Sequence, residues 1–179
     1  MILNRETKYK GHFQVDELTC KTKKGSEVKR EVMVRKNAVA ALVFDTKKEM
    51  YVLVSQWRPG SANDIVEIVA GTLDKPGEDP RDCMKREIME EIGYETDVLR
   101  LLDECYMSPG GSSETITIYY AEVSNQVEEG GGHASEHEEI DIVYMDKNEL
   151  LTTRFKDAKT IIAINWVRLN QEINSYNQK

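Results

Sequence analysis

The chain has 179 residues, with 24 Lys plus Arg against 32 Asp plus Glu and a formal net charge of −8. That length suits one domain, or one domain with an extension, and 40 % hydrophobic residues supply a core. The acidic balance excludes a nucleic-acid coat, which needs a basic face, and no apolar run reaches the roughly 18–20 residues of a membrane span.

In chain order, residues 1–10 lack the apolar stretch of a secretory signal. Runs at 13–18, 28–34, 39–44 and 51–54 are rich in Val, Phe and Tyr and are predicted strands. Polar turns at 23–26 and 45–48 separate them. Residues 38–44 are apolar without alternation, as in a strand covered on both faces. A helix is predicted from Asp79-Pro80, since proline suits the first helical position and an acid suits the positive end of the dipole. Cys83, Met84, Ile88 and Ile92 form its buried stripe, and Gly93 stops it. Residues 115–122 alternate as a strand, 127–139 form a loop holding Gly130-Gly131-Gly132 and several acids, and 140–144 form another strand. A last helix starts near Asp157, with Ala158, Ile161, Ile162, Trp166, Leu169 and Ile173 as its expected apolar face. Together these predict a mixed sheet with at least two helices, an α/β or α+β sandwich. Cys20, Cys83 and Cys105 make neither a disulfide framework nor a zinc pattern, so reduced thiols in a cytoplasmic protein are expected.

The chemistry is concentrated in residues 71–94. On a helix Glu87 and Glu91 are i,i+4 neighbours and Glu87 and Glu90 are i,i+3 neighbours, so the three acids share a side. Each like-charged pair costs roughly 0.2–0.5 kcal/mol, and the acids crowd the negative end of the dipole. An acidic pair alone is usually a solvated face. Binding of hard cations accounts for both penalties, because Mg²⁺ takes oxygen ligands and shares them with waters and substrate phosphates.

The whole string, GTLDKPGEDPRDCMKREIMEEIGY, resembles the Nudix box of the Nudix hydrolase family. Glu78, seven residues, and then Arg86-Glu87-Ile88-Met89-Glu90-Glu91-Ile92-Gly93-Tyr94 fit that pattern in register. One departure is that six residues, rather than five, separate Gly71 from Glu78, with Pro76 added in the turn. The resemblance implies a Nudix fold, a mixed β-sheet packed between helices with N-terminal β-strands. It implies Mg²⁺, with Mn²⁺ as a substitute, held by Glu87, Glu91 and the Ala70 carbonyl. Glu90 is an additional ligand, counted with the catalytic residues, and Glu78 and Arg86 are a structural ion pair.

Beyond the box, Gln56-Trp57-Arg58 is similar to the segment of ADP-ribose and nucleotide-sugar pyrophosphatases whose arginine contacts the diphosphate. Residues 107–114 resemble the Ser-Pro-Gly-Gly loop of that subfamily. Arg58, Glu67, Ser108, Gly110, Gly111 and Glu114 are accordingly the expected substrate-binding set. By charge alone residues 134–140 are a solvated loop; the resemblance makes Glu136 the general base and Glu138 a further metal ligand, with His137 a bystander. The implied reaction is hydrolysis of a nucleoside diphosphate sugar, first ADP-ribose to AMP and ribose 5-phosphate, second GDP-mannose. A triphosphate-cleaning or decapping enzyme and a non-catalytic ligand-binding regulator are weaker alternatives. Residues 1–36 are expected to be a β extension that makes a homodimer, and 37–179 the Nudix hydrolase domain, with no nucleic-acid or membrane partner.

Overall fold

The unbroken apolar run of β4 (Ala38–Asp45) does build the centre of a sheet. A computed structural model describes residues 1–132 and 139–176. Beside β4 lie β5 (Met50–Arg58) on one side and β9 (Thr115–Gln126) on the other. Beyond these come β10 (Ile140–Met145) and β8 (Tyr94–Tyr106), giving the order β10-β5-β4-β9-β8. Two short strands complete the seven: β6 (Asn63–Glu67) pairs with β5, and β7 (Val69–Thr72) pairs with β4. The β4–β9 pair is parallel and the other pairs are antiparallel, so the sheet is mixed.

Side chains alternate across a strand, and β4 serves two cores in that way. Val39, Ala41 and Val43 pack with Cys83, Met84, Ile88 and Ile92 of α1 (Pro80–Ile92). Ala40 and Leu42 pack on the other face with Leu150 of α2 (Lys147–Thr152) and Ala163, Ile164 and Val167 of α3 (Ala158–Tyr176). The predicted stripe of α1 is therefore its buried face, and each of its large apolar side chains contributes roughly 1.5–3 kcal/mol. Among the described residues no helix is long and apolar enough to cross a membrane.

The face of α3 differs from the expectation. Ile161 and Leu169 are exposed, whereas Thr160, Ala163, Ile164 and Val167 are buried. Polar anchors set the rotation: the Ile68 N–H donates to Thr160 Oγ1 at 2.9 Å in a buried bond, and Lys159 pairs with buried Glu67. The side chain of Ile173 lies outside the described ones.

A separate antiparallel sheet holds β1 (Ile2–Lys10), β2 (Gln14–Lys21) and β3 (Glu27–Val34). Every residue of β1 is exposed, so it carries no buried alternation that would mark it in the sequence. The strand β8 escaped notice for another reason. Three register shifts against β9 break its alternation, leaving Val98 and Leu101 exposed.

Candidate active site

Local chemistry sets both ends of α1. Asp79 Oδ1 accepts from the Arg81 N–H at 2.8 Å, Pro80 follows, and Gly93 closes the helix at φ 74°. The extra residue of the preceding loop is absorbed in a turn closed by the Glu78 N–H on the Lys75 carbonyl at 3.1 Å. Glu78 thus still reaches Arg86, accepting from Nε at 3.2 Å and from Nη2 at 3.3 Å. Arg86 Nη1 also lies 2.8 Å from both Glu87 and Glu90. The hydrogen bond to Glu78, against the opposing pull of burial, together with the charges of Glu87 and Glu90, holds Arg86 well above its ordinary range. The same bond holds Glu78 below the usual carboxylate range. One guanidinium thereby offsets the repulsion among the box acids.

The main chain of β7 lies against this acidic face. A Cβ on Gly71 would overlap the Glu87 carboxyl group, and the Ala70 N–H donates to Glu91 Oε2 at 3.4 Å. Glu91 is buried. Cys83 sits close by, with Sγ 3.7 Å from the Thr72 carbonyl, and burial pushes its thiol up to about 12. It stays protonated and is no nucleophile.

The triple glycine has a function the sequence did not reveal. The Gly131 N–H donates to the Glu91 carbonyl at 2.8 Å and the Gly132 N–H to that of Glu90 at 3.2 Å, which satisfies carbonyls left open at the end of α1. Gly130 has φ 73°, and a Cβ there would overlap the backbone of Glu91 and Ile92. These bonds seat residue 132 beside Glu90, and Glu136 and Glu138 follow in 133–138, outside the described residues.

Glu87, Glu90 and Glu91 form one wall of a cavity of about 650 Å³, and Arg35, Arg58, Lys156 and Lys159 bring positive charge to it. That volume suits a small-molecule ligand. Arg35, Lys156, Asp157 and Lys159 belong to no motif and were missed, because nothing local marks them. Ala70, Glu67 and Glu114 line the cavity as well, whereas Ser108, Gly110 and Gly111 do not. Their loop docks on β3 instead: the Met33 N–H donates to the Gly111 carbonyl at 2.8 Å and the Ser113 N–H to that of Met33 at 3.0 Å. Glu114 accepts from Arg35 Nε at 3.0 Å.

Arg58 Nε donates to Glu67 Oε1 at 2.5 Å, and Lys159 pairs with Glu67 Oε2. Burial pulls Arg58 down, but Glu67 outweighs it and the net displacement is upward. Asp157 sits 3.1 Å from Lys159 and accepts from the Thr160 N–H and hydroxyl. Burial pushes Asp157 up, yet Lys159 and Thr160 win and hold it below the ordinary range.

Among the described residues no three His, Cys, Asp or Glu side chains are gathered at ligand spacing. The donor set nonetheless fits a hard divalent cation. Glu87 and Glu91 offer carboxylate oxygens beside the 70–71 main chain, and such ions take the rest of their shell from waters and phosphates.

The family model of the NUDIX domain matches residues 34–164. A GDP-mannose pyrophosphatase of Shigella dysenteriae is 33 % identical over 166 residues, spanning 86 % of each chain. One from Escherichia coli is 34 % identical over 160 residues, spanning 82 % of this chain and 83 % of the relative. A crystal structure of an ADP compounds hydrolase superposes with a TM-score of 0.79 at 24 % identity, covering 97 % of this chain and 95 % of the other, which shows the same fold. Members of this family generally use divalent metal ions. On its fold, its acidic helix and this match, the chain belongs to the Nudix family.

Proposed function

We propose that the protein is a metal-dependent hydrolase that cleaves the diphosphate of a nucleoside diphosphate sugar, releasing a nucleoside monophosphate and a sugar phosphate. The observation that carries this is one cavity with carboxylates on one wall and Arg58 among the cations facing it. Acids that hold a divalent ion and a guanidinium that grips phosphate are what a diphosphate substrate requires. The names of relatives at 33–34 % identity support the same class.

Glu87 and Glu91, with the Ala70 carbonyl and Glu138, would hold Mg²⁺, or Mn²⁺ in its place, and Glu90 would assist. When bound, the ion would neutralise phosphate charge and make a water more acidic. Glu136 would accept the proton of the attacking water. Arg58 would bind phosphate oxygens, and Glu114 would keep Arg35 at the cavity edge. Gly111 serves first to join this loop to β3 through Met33, with Ser108 closing the turn by accepting from the Gly111 and Ser112 N–H groups.

ADP-ribose and GDP-mannose are the two substrates to compare. Nucleoside monophosphate formation from ADP-ribose, GDP-mannose, UDP-glucose and dGTP with Mg²⁺ is expected to show turnover of the sugar-linked diphosphates and little of dGTP. Preferential cleavage of dGTP would overturn the proposal.

The reading extends to a homodimer formed through residues 1–36, a unit distinct from the hydrolase domain at 37–179. Its support is the apolar surface of Ile2, Leu3, Tyr9 and Phe13, all exposed. Light scattering is expected to give twice the chain mass, and a strict monomer at micromolar concentration would contradict it. The three free cysteines support a reducing, cytoplasmic setting.

A further inference from the structure

Glu67 is 2 % exposed and lines the cavity, with an arginine and a lysine against it. Both of its oxygens are engaged by cations, Oε1 by Arg58 Nε at 2.5 Å and Oε2 by Lys159. Its charge is thus already met within the protein, by one cation on each oxygen. A buried ion pair is also a poor source of stability, since desolvation offsets most of the attraction and apolar residues would serve as well. Its presence at this place therefore asks for another account.

Arg58 uses only Nε in that pair. Its terminal nitrogens have no hydrogen-bond partner among the described residues, and its side chain is 41 % exposed to the cavity side of the sheet. The anchor is tied to the fold at its far end. Lys159 bridges to Asp157, Asp157 accepts from Thr160, and Thr160 Oγ1 accepts from the Ile68 N–H next in chain to Glu67. The loop of contacts closes on itself and clasps the start of α3 to the end of β6.

We propose that Glu67 is a positioning residue rather than a substrate contact: it holds the Arg58 guanidinium by one edge so that the other two nitrogens meet the diphosphate already oriented. This rests on Arg58 contacting the substrate, as proposed above. A planar fork fixed at Nε loses less freedom on binding than a free one. Without the negative charge, Arg58 and Lys159 would be two unscreened cations side by side, and Arg58 would leave its place.

Steady-state kinetics on the best-cleaved nucleotide sugar tests this. Arg58→Ala is expected to raise KM at least tenfold; an unchanged KM would instead dismiss the substrate contact itself. Glu67→Gln is expected to raise KM to a similar degree with kcat within about threefold of the parent. Adding Glu67→Gln to Arg58→Ala should change KM no further, because Glu67 acts through Arg58. Should Glu67→Gln fail to fold by circular dichroism, Glu67→Asp replaces it, keeping the charge but withdrawing the carboxylate by one methylene, with the same KM rise and the same non-additivity expected. A KM rise in Arg58→Ala with none in the Glu67 variant, or fully additive effects, would overturn the positioning role.

Discussion

The two walls of the cavity are built differently. The acidic wall, Glu87, Glu90 and Glu91, comes from little more than one turn of a single helix, and Arg86 on that helix ties the acids together. The basic wall is assembled from strand β5, the start of α3 and the residue that follows β3, through Arg58, Lys159 and Arg35, residues up to 124 positions apart (159 minus 35). Helical spacing alone sets the geometry of the first wall. The second depends on the sheet bringing distant segments together, and on buried Glu67 to hold two of its cations. A motif can encode the acidic wall, whereas the basic wall is a property of the fold.

The contrast is open to direct attack. The largest effect is expected from Glu91→Gln, which leaves the shape of the acidic wall and removes a charge. Turnover should fall by about 10³-fold or more with Mg²⁺ present, while thermal unfolding stays within a few degrees of the parent. If that variant hydrolysed nucleotide sugars like the parent, the acidic wall would not be the metal wall. Next comes Gly71→Ala, whose methyl would overlap the Glu87 carboxyl group. Overpacking of this kind costs roughly 1–3 kcal/mol, so a lower melting temperature and a weaker response of turnover to Mg²⁺ are both expected.

Gly130→Ala sharpens the comparison from the other end of α1. Its positive φ and its contact with the Glu91 backbone predict roughly 1–3 kcal/mol of destabilisation in urea. A neutral result would mean that the glycine loop does not cap the helix. The smallest effect belongs to the basic wall. Asp157 is held below its ordinary range in the folded state, with Lys159 and Thr160 overcoming the effect of burial. A depressed carboxyl contributes stability above its unfolded value, about 3.9, and loses it as pH falls through the lower folded value. Asp157→Asn loses the charge that meets Lys159 and the start of α3, and should therefore be less stable than the parent by roughly 0.3–1 kcal/mol near neutrality. The gap should begin to close below pH ~3.9. A gap independent of pH would show that the charge of Asp157 is immaterial.

Legibility in the sequence followed the range of the interaction. Asp79-Pro80 and Gly93 bound α1 as read, because capping is decided by a few neighbouring residues. Helix α2 has the same kind of signal, a capping box between Asp146 and Glu149, but six residues are too few to show a period. The strand β8 was obscured by its bulges and β1 by having no buried side. For α3 the period was right and the rotation wrong, since Thr160 and Lys159, polar residues, face inward and meet Ile68 and Glu67 across the chain.

From the sequence alone came the acidic helix, its stripe, its caps and the family they resemble, all of them products of contacts within about a dozen residues. The tertiary structure decided which cations face those acids, that Glu67 is spent on Arg58 and Lys159, and that Gly111 and Ser113 bond to Met33 of β3. The physical reason is that backbone spacing places neighbours on a helix without help, whereas charges brought together by a sheet have no spacing in the chain to betray them.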